Sequence, residues 1–123
     1  MTTRSLLAVV DDNESVREAL PDMLEHFGFA VRAFASAEAF LASDALAQTA
    51  CLILDVGLPG MSGPELQQEL QRRGAAPPIV FITAQGDQSL RTRLVAAGAV
   101  DCLSKPFSDT ALLAAIAAAL GRR

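Results

Sequence analysis

Apolar and polar positions alternate along the chain in two rhythms: short apolar runs of strand length, and longer segments whose apolar residues recur every three or four positions. Leu6 to Val10, Ala30 to Phe34, Cys51 to Leu54, Ile79 to Phe81 and Val100 to Leu103 fit strands. The first intervening segment places Val16, Ala19, Leu20, Met23, Leu24 and Phe27 on one stripe of a helix, with Asn13 as its cap and Gly28 closing it in the left-handed conformation. His26, in the last turn, reads as a solvated residue near the negative end of the helix dipole. Further helices are predicted over 37–46, 64–73, 88–97 and 109–120. Gly63 followed by Pro64 opens the third, where a proline in the first position sacrifices no hydrogen bond, and Glu69 with Arg73 supports it at i,i+4. Ser108 caps the fifth.

Strands that are apolar on both faces belong in a parallel sheet covered by helices on each side. Right-handed crossovers then leave only a few doubly wound strand orders, and in such sheets ligands bind where the loops at the carboxyl ends of the strands converge. The expected fold class is therefore α/β, a five-stranded parallel sheet with five helices.

A length of 123 residues suits one domain, and 51% hydrophobic content without Trp or Tyr gives it an aliphatic core. No apolar run approaches the ~20 residues of a membrane-spanning helix, and no secretory signal opens the chain. The net charge of −4 and the scattered cations argue against direct nucleic-acid binding by this domain. Cys51 and Cys102 lie in apolar contexts without the partners of a metal knuckle, so both read as reduced, buried thiols of a cytoplasmic protein.

The polar residues at the strand ends change the picture. Asp11 and Asp12 follow the first strand, Asp55 the third, Thr83 the fourth and Lys105 the fifth. Singly, each has a structural explanation: Asp pairs start turns and cap helices, Thr ends strands, and Lys before Pro marks a turn. Together they put three carboxylates at one sheet edge, where each disfavours ionisation of the others and something positive must compensate. A hard divalent cation such as Mg²⁺ does so, with Lys105 as a second positive charge. A carboxylate is also a nucleophile toward phosphorus once the charge of the transferred group is neutralised. One of the three carboxylates could then accept a phosphoryl group, assisted by Thr83, by Lys105 and by the backbone N–H groups of Gly57 and Ala84. The loop from Asp55 to Gly63, rich in Gly and Pro, can wrap such a site.

The motifs Val9-Val-Asp-Asp12, Leu54-Asp-Val-Gly-Leu-Pro-Gly-Met-Ser-Gly63, Phe81-Ile-Thr-Ala84 and Gly98-Ala-Val-Asp-Cys-Leu-Ser-Lys-Pro-Phe107 span nearly the whole chain. With them the chain resembles the receiver domain of a bacterial two-component response regulator. Ser36-Ala-Glu-Ala-Phe-Leu41 resembles the FixJ-like branch, whose members usually carry a DNA-binding helix-turn-helix output domain; none is expected within these residues. The resemblance implies a 2-1-3-4-5 strand order and a phosphohistidine on a sensor histidine kinase as donor. It makes Asp55 the phosphoacceptor, and Asp12, Asp55 and the Gly57 carbonyl ligands of Mg²⁺ (Mn²⁺ as alternative), with Asp11 acting through water. Thr83 would turn toward the phosphoryl group, and Lys105 would pair with it beside a cis bond to Pro106. Phosphorylation would then switch the face formed by the fourth helix, fifth strand and fifth helix, for output or for homodimerisation in transcription regulation. Such a chain catalyses only its own phosphorylation and dephosphorylation and is not otherwise an enzyme.

Four positions refine the pattern. Cys102 stands where the family usually has Tyr or Phe, so switching is expected to rely on Thr83 and the loop after it. Pro21 falls inside the first helix, opposite its apolar stripe, where a bend is expected to adjust kinase choice. Gly57 and Gln85 flank the expected phosphoryl position without charge. Arg91 and Arg93 on the fourth helix read as solvated surface. The alternative function is a receiver-like interaction module that never takes phosphate, against which Asp12, Asp55 and Lys105 speak. A haloacid-dehalogenase-type phosphatase would need Asp-x-Asp after the first strand, and a flavodoxin a hydroxyl-rich loop there; this chain has Asp11-Asp-Asn-Glu14.

Overall fold

The computed structural model describes residues 5–85 and 87–121; residues 1–4, Gly86 and the two C-terminal arginines lie outside the described set. Strands β1 (Leu6–Val10), β2 (Ala30–Phe34), β3 (Thr49–Asp55), β4 (Ile79–Thr83) and β5 (Asp101–Ser104) alternate with helices α1 (Glu14–His26), α2 (Ala37–Ala42), α3 (Gly63–Arg72), α4 (Gln88–Ala96) and α5 (Asp109–Leu120). All neighbouring strands pair in parallel, in the order β2-β1-β3-β4-β5.

The two-residue period of the strands divides the core in two. On one face Ala8, Val10, Leu52, Leu54 and Phe81 pack with Phe40, Leu66, Leu70 and Leu94. On the other, Leu7, Val9, Ile53, Val80 and Ile82 meet Leu20 and Leu24 of α1 and Leu112 and Ile116 of α5. The central strands β3 and β4 are buried almost throughout, as their unbroken apolar runs require. Edge strand β2 is only partly buried, and its Arg32 pairs with Asp44 at 2.7 Å, placing charge where an open edge would invite another strand.

The expected caps are present. Asn13 accepts from Ser15 N–H, Ser108 from Ala111 N–H, and Gly28 turns at φ +96°. Glu69 binds both Arg73 at 2.7 Å and Arg72 at 2.6 Å. Other expectations are corrected. Helix α2 stops at Ala42 because Ser43 Oγ donates to Phe40 O and accepts from Ala45 N–H, diverting the chain into a 3₁₀ turn at Leu46–Gln48. Ser62 caps α3 in a reciprocal box with Glu65, so Gly63 is the first helical residue and Pro64 the second. The strand-end residues Asp55 and Thr83 belong to β3 and β4 themselves, and Val100 precedes β5. The α1 stripe is narrower than its sequence suggests: Ala19 is exposed, and Phe27, 54% exposed, lies beyond the helix against the His26 ring. Phe29, after the Gly28 turn, packs against the core instead.

Helix α4 is the least embedded of the longer helices, with Leu94 as its buried residue. Polar ties compensate. Gln71 of α3 donates to the Ala97 carbonyl at 2.6 Å, with the buried Gln67 amide beside it at 3.5 Å, satisfying a carbonyl that the helix end leaves without an internal partner. Arg91 is not free surface: it bonds Asp101 of β5 at 2.8 Å. Among the described residues no helix is long and apolar enough to cross a membrane. Replacing Gln71 by Ala should lower unfolding free energy by about 1 kcal/mol in urea titration. Faster amide exchange should then be concentrated at residues 97–99.

Candidate functional site

Parallel pairing brings every strand's carboxyl end to one edge, and register aligns Asp55 with Ile82 and Thr83 with Ser104. Asp11 directly follows β1, Asp55 ends β3, Thr83 ends β4 and Lys105 directly follows β5. With Asp12, Gly57, Ala84 and Gln85 they line a cavity of about 400 Å³, so the strand-end candidates from the sequence meet in one place. A larger cleft of about 640 Å³ lies against the 3₁₀ turn and the α3–β4 connection, but its lining is mainly small and apolar and its carboxylate, Asp44, is already paired with Arg32. The acidic cluster lines the smaller cavity.

Asp11, Asp12 and Asp55 each offer a carboxylate oxygen within 4.8 Å of the others. Asp11 is fully buried, Asp55 and Thr83 nearly so, and Asp12 is exposed. Lys105 Nζ donates to Asp11 Oδ2 at 3.0 Å, so in this structure its ion pair is with Asp11. Asn13 N–H donates to Asp11 Oδ1 at 2.9 Å, and Arg17 Nη1 donates to the Asp11 backbone carbonyl at 2.9 Å. Arg17 does not stand out in the sequence, because a contact with a backbone atom leaves no residue-type signature at the other end. Thr83 Oγ1 accepts from Gln85 N–H at 3.3 Å. The Lys105–Pro106 peptide bond is cis.

Burial pushes the Asp55 carboxyl up, and the Asp11 charge pushes it further; Lys105 and the Gly57 N–H oppose this, and Asp12 adds to the rise. Three carboxylates face the one Lys105 ammonium here, so the described side chains leave excess negative charge at the site. A divalent cation bound by the three carboxylates would correct that, and their hard oxygens suit Mg²⁺. The loop after Asp55 is closely fitted: a Cβ on Gly63 would run into the Asp55 backbone carbonyl oxygen, whereas at Gly57 a Cβ would meet open space. Cys102 is buried in β5 on the α3/α4 side of the sheet, its thiol pushed up by burial and by Asp101, with Arg91 opposing. Burial of Cys51 pushes its thiol up to about 12, so it stays protonated.

The response regulator receiver domain model matches residues 7–117. The chain is 44% identical over 114 residues to transcriptional regulatory protein FixJ of Azorhizobium caulinodans, covering 93% of this chain and 54% of that protein. It is 45% identical over 121 residues to nodulation protein W of Bradyrhizobium diazoefficiens, covering 98% and 53%. The chain thus spans about half the length of the curated relatives it matches. Among solved structures, FixJ-N superimposes with a TM-score of 0.88 at 39% identity, covering 100% of this chain and 98% of that one. The response regulator StyR gives 0.89 at 45%, covering 98% and 61%.

Without metal, the raised carboxyl of Asp55 sets a pH dependence. Between the ordinary 3.8 and its raised value the folded chain holds a proton that the unfolded chain has released, so this group's contribution to stability falls as pH rises through that window. In chelator, Asp55→Asn should therefore melt above wild type at pH 7. The gap should close as pH falls below 4. Equal melting temperatures at pH 7 would contradict the crowding of carboxylates.

Proposed function

The chain belongs to the response regulator receiver domain family, and from that premise we propose that Asp55 accepts a phosphoryl group from a phosphohistidine of a sensor histidine kinase in a Mg²⁺-dependent reaction. The observation that carries this reading is the convergence of Asp11, Asp12 and Asp55 within 4.8 Å on a cavity that also holds Thr83 and Lys105.

An Asp55 carboxylate oxygen forms the bond to phosphorus while the bond from phosphorus to the histidine nitrogen breaks, and the imidazole leaves with the electron pair. Seated at the end of a central strand, Asp55 presents that oxygen from a rigid base. Lys105 has three N–H donors and commits one to Asp11, so others remain for a phosphoryl oxygen without breaking the ion pair. The Thr83 hydroxyl and the backbone N–H groups of Gly57 and Ala84 are the further donors for the charge on the transferred group. Asp12, Asp55 and the Gly57 carbonyl would hold Mg²⁺ directly, with Mn²⁺ as an alternative, and Asp11 would do so through water. Bound there, the cation would neutralise both the carboxylates and the phosphoryl oxygens. The only reactions assigned to the chain are its own phosphorylation and dephosphorylation.

Recruitment of Thr83 to the phosphoryl group would exchange its bond to Gln85 N–H, and so shift the population of the loop leading into α4. The α4–β5–α5 face is then the output surface, for homodimerisation or for a DNA-binding output domain outside these residues; FixJ and two further relatives are transcriptional regulatory proteins, which supports that role. A cytoplasmic location follows from the same reading. Cys102, small and buried, lets strand β5 remain nearly in place while α4 responds.

Incubation with acetyl phosphate and Mg²⁺ should add the mass of one phosphoryl group, and Asp55→Asn should abolish the gain. Lys105→Met should slow it about a hundredfold, the loss typical of one charge-stabilising donor. An undiminished gain in Asp55→Asn would overturn the assignment. Beryllofluoride, a phosphoryl mimic, should alter the alkylation rate of Cys102 through movement of α4; an unchanged rate together with unchanged amide exchange in α4 would remove the proposed switch.

A further inference from the structure

Glu38 lies exposed in the first turn of α2, 23 residues before Met61, yet its Oε2 accepts the Met61 backbone N–H at 2.9 Å. Gly60 permits this approach: it turns at φ +71°, and a Cβ there would sit 2.7 Å from the same oxygen. The Met61 N–H is the largest cause holding the Glu38 carboxyl below its ordinary range, so the loop is matched to the anion.

The β3–α3 loop has other restraints, and they lie mostly at its ends. Val56 N–H donates to Ile82 O at 2.9 Å, Gly63 N–H to Val56 O at 3.1 Å, and Ser62 N–H to Glu65 Oε1 at 2.9 Å, while the Leu58 side chain is buried in the core. Glu38 supplies a hydrogen bond from a separate helix to the limb between Leu58 and Ser62. A segment with Gly57, Pro59 and Gly60 in close succession has much backbone freedom at the two glycines, and fixing it in advance removes that cost from the event it serves.

We propose that Glu38 is a positioning residue for Mg²⁺ binding beside Asp55: by holding Met61 N–H it sets the outer limb of the β3–α3 loop, and through that limb the placement of the Gly57 carbonyl at the cavity. The inference rests on the reading of Asp55 given above. Glu38 acts only through the backbone, and its removal should loosen the site without disabling the nucleophile. The residue is exposed and contributes little to the core, so its variants should fold.

The test compares wild type, Glu38→Ala and Glu38→Gln by amide exchange at Met61, by the Mg²⁺ concentration that half-saturates thermal stabilisation, and by labelling with acetyl phosphate. In Glu38→Ala, Met61 exchange should accelerate and the half-saturating Mg²⁺ should rise about fivefold, the factor that one lost hydrogen bond of ordinary strength would give. The labelling rate at saturating Mg²⁺ should stay close to that of wild type. Glu38→Gln keeps a carbonyl oxygen in place and should recover most of the loss. Faster Met61 exchange with an unchanged Mg²⁺ requirement would overturn the proposal, as would a Gln variant as impaired as the Ala variant. Failure of wild type to take the label, or labelling of Asp55→Asn, would instead count against the phosphoacceptor reading, and the Mg²⁺ melting curves would still decide the role of Glu38.

Discussion

The structure turns on carboxylates held out of water at the end of an apolar sheet. Asp11 and Asp55 are buried, and Asp12 stands beside them at the opening. Burial and the charges of Asp11 and Asp12 oppose ionisation of Asp55, and Lys105, paired with Asp11, works against them. Such an arrangement survives because the rest of the domain over-determines it. Strands β1 and β3 are paired along their lengths and packed on both faces, which leaves their terminal residues little room to relax apart.

The surrounding helices fix the loops rather than the carboxylates directly. Asn13 turns the chain into α1 and gives its N–H to Asp11, while Arg17 returns from α1 to the Asp11 carbonyl. Ser62 and Glu65 close the far end of the β3–α3 loop, and Gly63 is small enough to lie against the Asp55 backbone. The pocket is therefore lined by loops of short span whose ends are capped by named side chains. That is the kind of support that a site needing groups aligned to fractions of an ångström requires.

Apolar anchoring is distributed unevenly across this frame. The faces of β3 and β4 are sealed, whereas α4 buries Leu94, packs Leu90 partly against the core, and is held further by polar contacts to α3 and β5. Hydrogen bonds and ion pairs at an exposed helix exchange with water at modest cost, while apolar core contacts do not. In the proposed phosphorylation switch, a rearrangement beginning at Thr83 would meet the least resistance in α4, next along the chain.

The alternation of strand and helix periods in the sequence determined the α/β class, the number of elements and the chemistry-bearing residues, because those depend on side-chain type at regular spacing. The motifs around Asp11, Asp55, Thr83 and Lys105, through the family they resemble, also carried the strand order of the sheet. Which atoms touch was left to the tertiary structure. Ser43 ends α2 by a local hydrogen bond that outcompetes the helix, and Gly28 turns Phe29 rather than Phe27 toward the core. Lys105 rests on Asp11, Arg91 on Asp101, and Glu38 and Arg17 grip backbone atoms. Periodicity assigns a residue to a face of its own element. Partners distant in sequence are chosen only when packing fixes how the elements meet, and a backbone partner carries no residue identity to be read beforehand.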